Sequence, residues 1–418
     1  MSILSSYTLL LWVLFLSIIE INYTKNIFSP FTVTAWPFAV ISILVNTFAV
    51  SIGFLPVSVR ANFFILLNLS LVWITGLIIY VLGSKKSYQP TDYANVFGKY
   101  DKYQGAIYLV AWTIIAVVLV KIFLILSQNG LWYIGTDDYE NLMIVGLVAH
   151  LIQVAKILLI LLVLISWNHK KGFLYYVTII MLSLIIISIK VKYHIVWVIL
   201  ILFFIKNISR PLEIQSKNLI KIFAFVIVIF FLNYLAMFYT LDYFALTNKN
   251  MWQYILGLFY NYTMSGPILL DTWLDLANTK PWWSMLIVFI NAKNVIVGDP
   301  LRLNAVDFVS PGFMRVSSEH LSNVGTSFGV YVLIGGITFT ILMTIVIAAI
   351  SYYFYYHSRG SKNPISIFIN AVFLTMGFLS FFVQYFTLLS LYEMFIFFCI
   401  FILIFEIFNK LNPQRKSA

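Results

Sequence analysis

Residues 141–166 read NLMIVGLVAHLIQVAKILLILLVLIS, with Asn141, His150, Gln153, Lys156 and Ser166 as the only polar side chains. A bilayer core takes about 20 apolar residues per helix, so this stretch reads as a membrane span. The same yardstick applied along the chain predicts about eleven spans (10–12), at 3–22, 31–52, 61–83, 106–127, 141–166, 173–189, 194–206, 222–240, 326–352, 365–386 and 388–409. Composition agrees. Of 418 residues 62% are hydrophobic and only 10% charged, with a mean hydropathy of +0.96, whereas soluble domains carry roughly 25% charged residues. A soluble enzyme, a disordered chain and a disulfide scaffold are excluded. The expected fold class is all-α: a polytopic transmembrane helix bundle with one long outward loop. The single cysteine, Cys399, lies in an apolar run.

The net charge of +11 does not point to nucleic acid, because the basic residues are spread through short loops between spans. With the C-terminus in the cytoplasm, 16 of the 26 basic residues fall on the cytoplasmic side, against three in the short outward loops. That is the positive-inside pattern. The first span has no basic leader and no small-residue cleavage site, so it reads as a retained anchor with its N-terminus outside. No repeat or low-complexity tract is present. The chain divides into an N-terminal bundle of about eight spans (1–240), a long extracytoplasmic loop (241–325), and a C-terminal bundle of about three spans (326–418) with a short basic tail.

The long loop breaks the pattern. It contains Trp252, Trp273, Trp282 and Trp283 with several tyrosines, residues that favour the membrane interface. Its stretch Pro267–Leu276 is expected to lie on the bilayer surface as a short helix, with Asp271 and Asp275 on one face. The plain alternative is a lid that only packs on the bundle. Arg302, Asp307, Arg315, Glu319 and His320 cluster before the ninth span, and Lys190, Lys192 and His194 occupy another outward corner. Fixed cations at headgroup level suit an anionic group, a diphosphate above all, since Arg and Lys bind phosphate oxygens through charge-assisted hydrogen bonds. For Lys190 and Lys192, snorkelling at a helix end is the alternative.

Within spans, Lys121, His150, Gln153, Lys156 and Glu393 require an explanation, because an intramembrane charge costs roughly 2.5–3.5 kcal/mol on insertion scales. His150, Gln153 and Lys156 share one helical face and with Lys121 would line a polar cavity. Glu393 would pair with either lysine. A buried structural ion pair is the competing reading. No P-loop, CxxC, HExxH or Asp-x-Asp pair is present, and the Gly-x-Ser-x-Gly spelling at Gly325–Gly329 lacks the strand and helix of a nucleophile elbow. No metal site and no cofactor are expected.

Several segments carry a resemblance: Phe28-Ser-Pro-Phe-Thr followed by Ala35-Trp-Pro-Phe; Tyr260-Asn-Tyr-Thr-Met-Ser-Gly-Pro-Ile; and His320-Leu-Ser-Asn-Val-Gly-Thr-Ser-Phe-Gly-Val-Tyr running into Gly335-Gly336. In arrangement the chain resembles the Wzy-type polymerases, which join oligosaccharide repeat units of bacterial surface polysaccharide. It departs from them in having Lys190 and Lys192 where many members carry an arginine, and nine residues rather than ten between Arg302 and Gly312 and between Arg315 and Gly325. The resemblance implies a metal-independent glycosyltransferase in the bacterial inner membrane, acting at its outer face on undecaprenyl-diphosphate-linked oligosaccharide, for O-antigen (lipopolysaccharide) or capsule. A flippase and a chain-length regulator are the implied protein partners, with membrane lipid around it and no nucleic acid. The expected roles are His320 or Asp271 as catalytic base, and Arg302, Arg315, Lys190 and Lys192 on the diphosphate. Asn323, Trp273 and Tyr262 would line the sugar groove. A lipid-linked oligosaccharide flippase and an O-antigen ligase are the rival readings.

Overall fold

A computed structural model of the chain describes residues 1–83, 93–143, 146–167, 171–188, 193–210, 212–218, 221, 228, 248–297, 301 and 303–411. The helices are α1 (Ser2–Thr24), α2 (Pro30–Thr47), α3 (Val59–Gly83), α4 (Tyr93–Gly98), α5 (Gln104–Asn129), α6 (Asp137–Met143), α7 (Leu147–Ile165), α8 (Phe173–Ser188) and α9 (Tyr193–Asn207). They continue with α10 (Asn248–Asp275), α11 (Ile287–Ile296), α12 (Ala305–Val309), α13 (Ser327–Ser358), α14 (Pro364–Leu379) and α15 (Leu389–Leu411). One small hairpin, β1 (Met314–Arg315) with β2 (Leu321–Ser322), precedes α13. Seven helices, α1, α2, α3, α5, α7, α13 and α15, are long and apolar enough to cross a membrane, while α8, α9 and α14 are apolar but shorter. The chain is an all-α multi-pass membrane protein. Ten of the expected spans contain a described helix; most of 222–240 lies outside the described residues.

Packing divides the chain into two compact units. The first comprises Met1–Tyr88, Gln253–His357 and Val372–Leu389, and the second Gln89–Trp252, Ser358–Ala371 and Ser390–Ala418. The expected division into 1–240, 241–325 and 326–418 follows the chain order of spans and long loop, whereas these units mix segments from along the chain.

In the first unit α1, α2 and α3 are joined by a polar network. Ser6 Oγ meets Ser42 Oγ at 2.8 Å, Ser42 donates to Asn62 Oδ1 at 2.6 Å, and Asn46 Nδ2 donates to Ser6 Oγ at 2.7 Å. Asn62 Nδ2 in turn reaches Ser5 Oγ at 2.9 Å. Small and amide side chains of this kind hold helices together where water offers no hydrophobic drive. The proline-led start of α2 is a capping box: Ser29 Oγ accepts from Thr32 N and Thr32 Oγ1 accepts from Ser29 N, with Pro30 at the first helical position. Pro30 lacks only an N–H that a first turn leaves unbonded anyway.

Three expectations change here. Residues 267–276 are not a surface helix. They are the last turns of the 28-residue α10, with Ile268, Leu269, Leu270, Trp273 and Leu274 buried. Gly266 makes this possible, since a Cβ there would stand 2.1 Å from the Phe381 carbonyl oxygen. The span 326–352 is one helix by sequence but is interrupted by non-helical backbone at Gly335 and Gly336, the latter at φ 72°. The tenth expected span, 365–386, is cut short: α14 stops at Leu379, where Ser380 Oγ donates to the Gly377 carbonyl at 2.7 Å, and Gln384 Oε1 then accepts from Thr387 Oγ1 at 3.0 Å in the turn that follows.

In the second unit α7 is the most enclosed helix, and α5, α8 and α9 pack around it. Its fifth-span stretch begins at Leu147 because Gly146 takes φ 77°, a left-handed conformation open to glycine. Phe368 stacks on Phe398 at 3.8 Å, and Lys99 Nζ and Tyr100 Oη both reach Glu406 Oε1 at 2.6 Å. Burial, with the Glu406 carboxylate beside it, holds the Tyr100 hydroxyl well above the usual tyrosine range.

Candidate functional site

The described residues of 253–325 form a folded cap within the first unit. Its hairpin is pinned to the turn between α2 and α3: Leu55 N donates to Val316 O at 2.8 Å and Ser318 N to Gly53 O at 3.1 Å. From β2 the chain meets α10, where Asn261 Nδ2 donates to Leu321 O at 3.2 Å. His320 lies between these elements. Its ring centroid is 5.8 Å from Phe54, and a Cβ at Gly257 would stand 2.8 Å from His320 Nε2. Glycine at 257 therefore makes the imidazole's place against α10. Its own backbone is fixed by Ser317, whose Oγ accepts from His320 N at 2.9 Å.

Arg315 is exposed, and its guanidinium already closes the hairpin turn, Nε donating to Ser317 O at 3.0 Å and Nη2 to Ser318 O at 3.3 Å. The Nη1 side remains for an anion. At the other end of α10, Asp275 pairs with Arg60 at 2.5 Å, but both side chains are more than half exposed (66% and 53%), so the pair contributes little stability. One turn earlier, Asp271 Oδ1 is buried and makes no hydrogen bond. Gly257 and Asp271 are 14 residues apart, about 20 Å of helix. His320 and Asp271 are thus separate candidates and cannot share one substrate proton.

Trp273 is only 1% exposed, and the cores of Gly325 and Gly329 accommodate its indole: a Cβ at Gly325 would stand 1.9 Å from Trp273 Cη2. It is a packing residue of the cap rather than an open groove wall. Tyr262 is exposed and Asn323 half-buried just after β2. Arg302, Lys190 and Lys192 lie outside the described residues.

Beneath the cap is the break in α13. It frees carbonyls, and the turn after α10 takes them up: Asn278 N donates to Val332 O at 2.9 Å and Lys280 N to Leu333 O at 2.8 Å. Interrupted helices at membrane depth persist only where such partners exist. The eight-residue first half, from Ser327, is wholly buried and borders a groove between α2, α3, α13 and α14. Val72, Phe328, Phe373 and Met376 give it apolar walls, with Ser327 and Gln384 as polar points.

The intramembrane residues of the second unit come together differently from expectation. Glu393 is paired with His150 and with neither lysine. Lys156, 1% exposed, donates to Gln153 Oε1 at 2.6 Å and meets His194 Nδ1 at 2.7 Å. His194 is therefore 6% exposed inside the unit and not part of an outward cationic corner. Lys121 stays half-buried on α5 and joins none of these bonds. Among the described residues no three His, Cys, Asp or Glu side chains gather as a metal would need.

Sequence reading passed over Arg60, Gly257 and Glu20. Arg60 looked like one stray outward cation and Gly257 carries no chemistry. Glu20 offered a signal, being the only acidic residue before Asp92 and lying in the middle of apolar sequence.

An apolar helical bundle with an interrupted helix and a folded cap is that of a multi-pass membrane protein. The chain belongs to the family of unknown function DUF6337, whose profile matches residues 60–412. No curated protein and no solved structure matches it.

Proposed function

We propose that this protein is a metal-independent glycosyltransferase that polymerises undecaprenyl-diphosphate-linked oligosaccharide repeat units of a bacterial surface polysaccharide, O-antigen or capsule, at the outer face of the inner membrane. The observation that carries this reading is a juxtaposition within one unit. A groove with apolar walls runs among membrane-spanning helices, and a folded cap bearing Arg315, His320 and Asp271 belongs to the same unit. A lipid-linked sugar diphosphate has matching parts: a tail for the groove, a charged centre for fixed cations, and sugars for the cap.

In the reaction the terminal hydroxyl of one lipid-linked unit attacks the anomeric carbon of the growing chain. The carbon–oxygen bond to diphosphate breaks, and the electron pair leaves on undecaprenyl diphosphate. Cations aimed at that developing charge lower the barrier; Arg315, through its Nη1 side, is the described candidate, and Arg302, Lys190 and Lys192 are the sequence candidates. The hydroxyl proton passes to His320 or Asp271. General bases of this kind contribute about a hundredfold to ten-thousandfold. The flippase and the chain-length regulator are proposed as partners on the same substrate.

A transporter is the second reading, favoured by the buried Lys156–His194 contact and by buried Glu20, because intramembrane ionisable groups mark ion and proton paths. Gel analysis of surface polysaccharide from a strain lacking the gene separates the readings. A polymerase defect leaves single repeat units on the anchor. An empty surface would sink the proposal in favour of transport, and polymer retained on its lipid carrier would point to a ligase.

A further inference from the structure

The end of the first unit remote from the hairpin holds an acid that glycosyl transfer does not use. Glu20, in the last turns of α1, is 0% exposed. Tyr352 on α13 donates to its Oε1 at 2.7 Å, and the same hydroxyl accepts from Phe31 N at 3.3 Å. The hydroxyls of Ser29 and Tyr23 also face the carboxyl, and Ser17 Oγ on the same helix is buried with no hydrogen bond. Hydroxyls face Glu20 from three elements, Tyr23 from α1, Ser29 from the head of α2 and Tyr352 from α13, and Tyr80 of α3 with Tyr355 and Tyr356 of α13 stand behind Tyr23 and Tyr352. Tyr23 and Tyr80 have ring centroids 4.7 Å apart, and Tyr352 and Tyr356 5.9 Å. Gly76 on α3 closes the cage, since a Cβ there would stand 2.2 Å from Tyr352 Cζ. Among the described residues no ion pair reaches Glu20.

An ionised carboxylate buried with no cation beside it is too costly to persist in a closed apolar site. A neutral acid has no such cost. Hydroxyls can donate to a carboxylate or accept from a carboxylic acid, so a cage of them around a buried acid with no ion pair is arranged for a group that changes state. We propose that Glu20 is an intramembrane proton-binding site, which keeps its proton while the tyrosine cage is closed and releases it only when α1 parts from α13. The site is far from the cap chemistry and does not depend on the glycosyl-transfer reading; it would serve a polymerase or a transporter.

Dicyclohexylcarbodiimide is an apolar reagent that reacts with protonated carboxyls buried in membranes. The acid's proton goes to a carbodiimide nitrogen while its oxygen bonds the central carbon. Full-length protein in its native membranes, treated with the reagent and mapped by peptide mass, should carry an adduct on Glu20. Labelling should fall several-fold as the pH of the medium is raised, and E20Q should remove that adduct alone. Tyr352→Phe deletes the donor that favours the ionised form, so labelling should persist to higher pH than in the parent; loss of packing alone would not move the profile in that direction. An unlabelled Glu20, labelling indifferent to pH, or protection by sodium ions, which would make this a metal-cation site, each overturns the proposal.

Discussion

Arg315 and His320 are five residues apart in sequence, yet they face different tasks. Arg315 has two nitrogens on the carbonyls of Ser317 and Ser318, so it shapes the turn that presents His320. Lysine keeps the charge, but its compact ammonium on a flexible stem does not reproduce the fixed planar fork that sets Nε and Nη2 on the two carbonyls. Arg315→Lys is therefore expected to shorten the polymer markedly at unchanged expression, and normal chain lengths on a gel would remove Arg315 from the site. For the base, His320→Gln keeps hydrogen bonding and removes basicity. Collapse of chain growth by about a hundredfold or more, with the lipid-linked donor still bound, assigns the role to His320. If His320→Gln polymerises normally and Asp271→Asn collapses, the role moves to Asp271, whose Oδ1 is left without a hydrogen bond. Gly257, against which His320 packs, and Asp271 lie about 20 Å apart along α10, so loss of chemistry with intact binding in both variants would contradict a single-base mechanism.

Among the elements, the interrupted α13 is the one whose geometry rests on two particular residues. Gly336 adopts φ 72° and ψ −169°, an essentially glycine-only conformation that costs other residues about 1–3 kcal/mol. A Cβ at Gly335 would stand 2.5 Å from Phe339 Cβ, and that neighbour belongs to the same helix and has little freedom to move. Gly336→Ala is expected to lower thermal stability modestly and Gly335→Ala more, both read as unfolding of the detergent-solubilised protein. Polymerisation should fall with them, because the break positions the passage that carries Asn278 and Lys280. Two variants as stable and as active as the parent would show that the interruption is dispensable. By contrast the start of α2 needs no tertiary help: Ser29, Pro30 and Thr32 spell a helix beginning and the backbone follows them.

For the molecule as a whole, the charge bias predicts that the cap is outside and Lys171 inside. Reporter fusions at Asn278 and Lys171 should give opposite compartments, and matching signals would reverse the assignment of the site. One physical fact supports grouping the cap with the α2–α3 turn: backbone hydrogen bonds join residues 53–55 to 316–318, so both belong to one side. Sequence alone was sufficient for the all-α class and for ten of the described helices, because an apolar run of bilayer length leaves the backbone no alternative to internal hydrogen bonding. It was sufficient, too, to draw attention to Arg315, His320 and Asp271 as unusual groups in a long polar-rimmed segment. Folding had to decide the rest. That Pro267–Leu276 is core and not surface depends on Gly266 and Gly325 meeting Phe381 and Trp273 across more than fifty residues of chain. That Glu393 takes His150, and Lys156 takes His194, depends on which helices become neighbours. Glu20 shows the same limit: its solitude was plain in the sequence, but its tyrosines come from three separate stretches, and only packing brings the Tyr352 hydroxyl, 332 residues away, to within a hydrogen bond of it. Hydropathy is a property of a segment and is read locally; a partner is a property of two segments, and the energy that selects it exists only once both are in place.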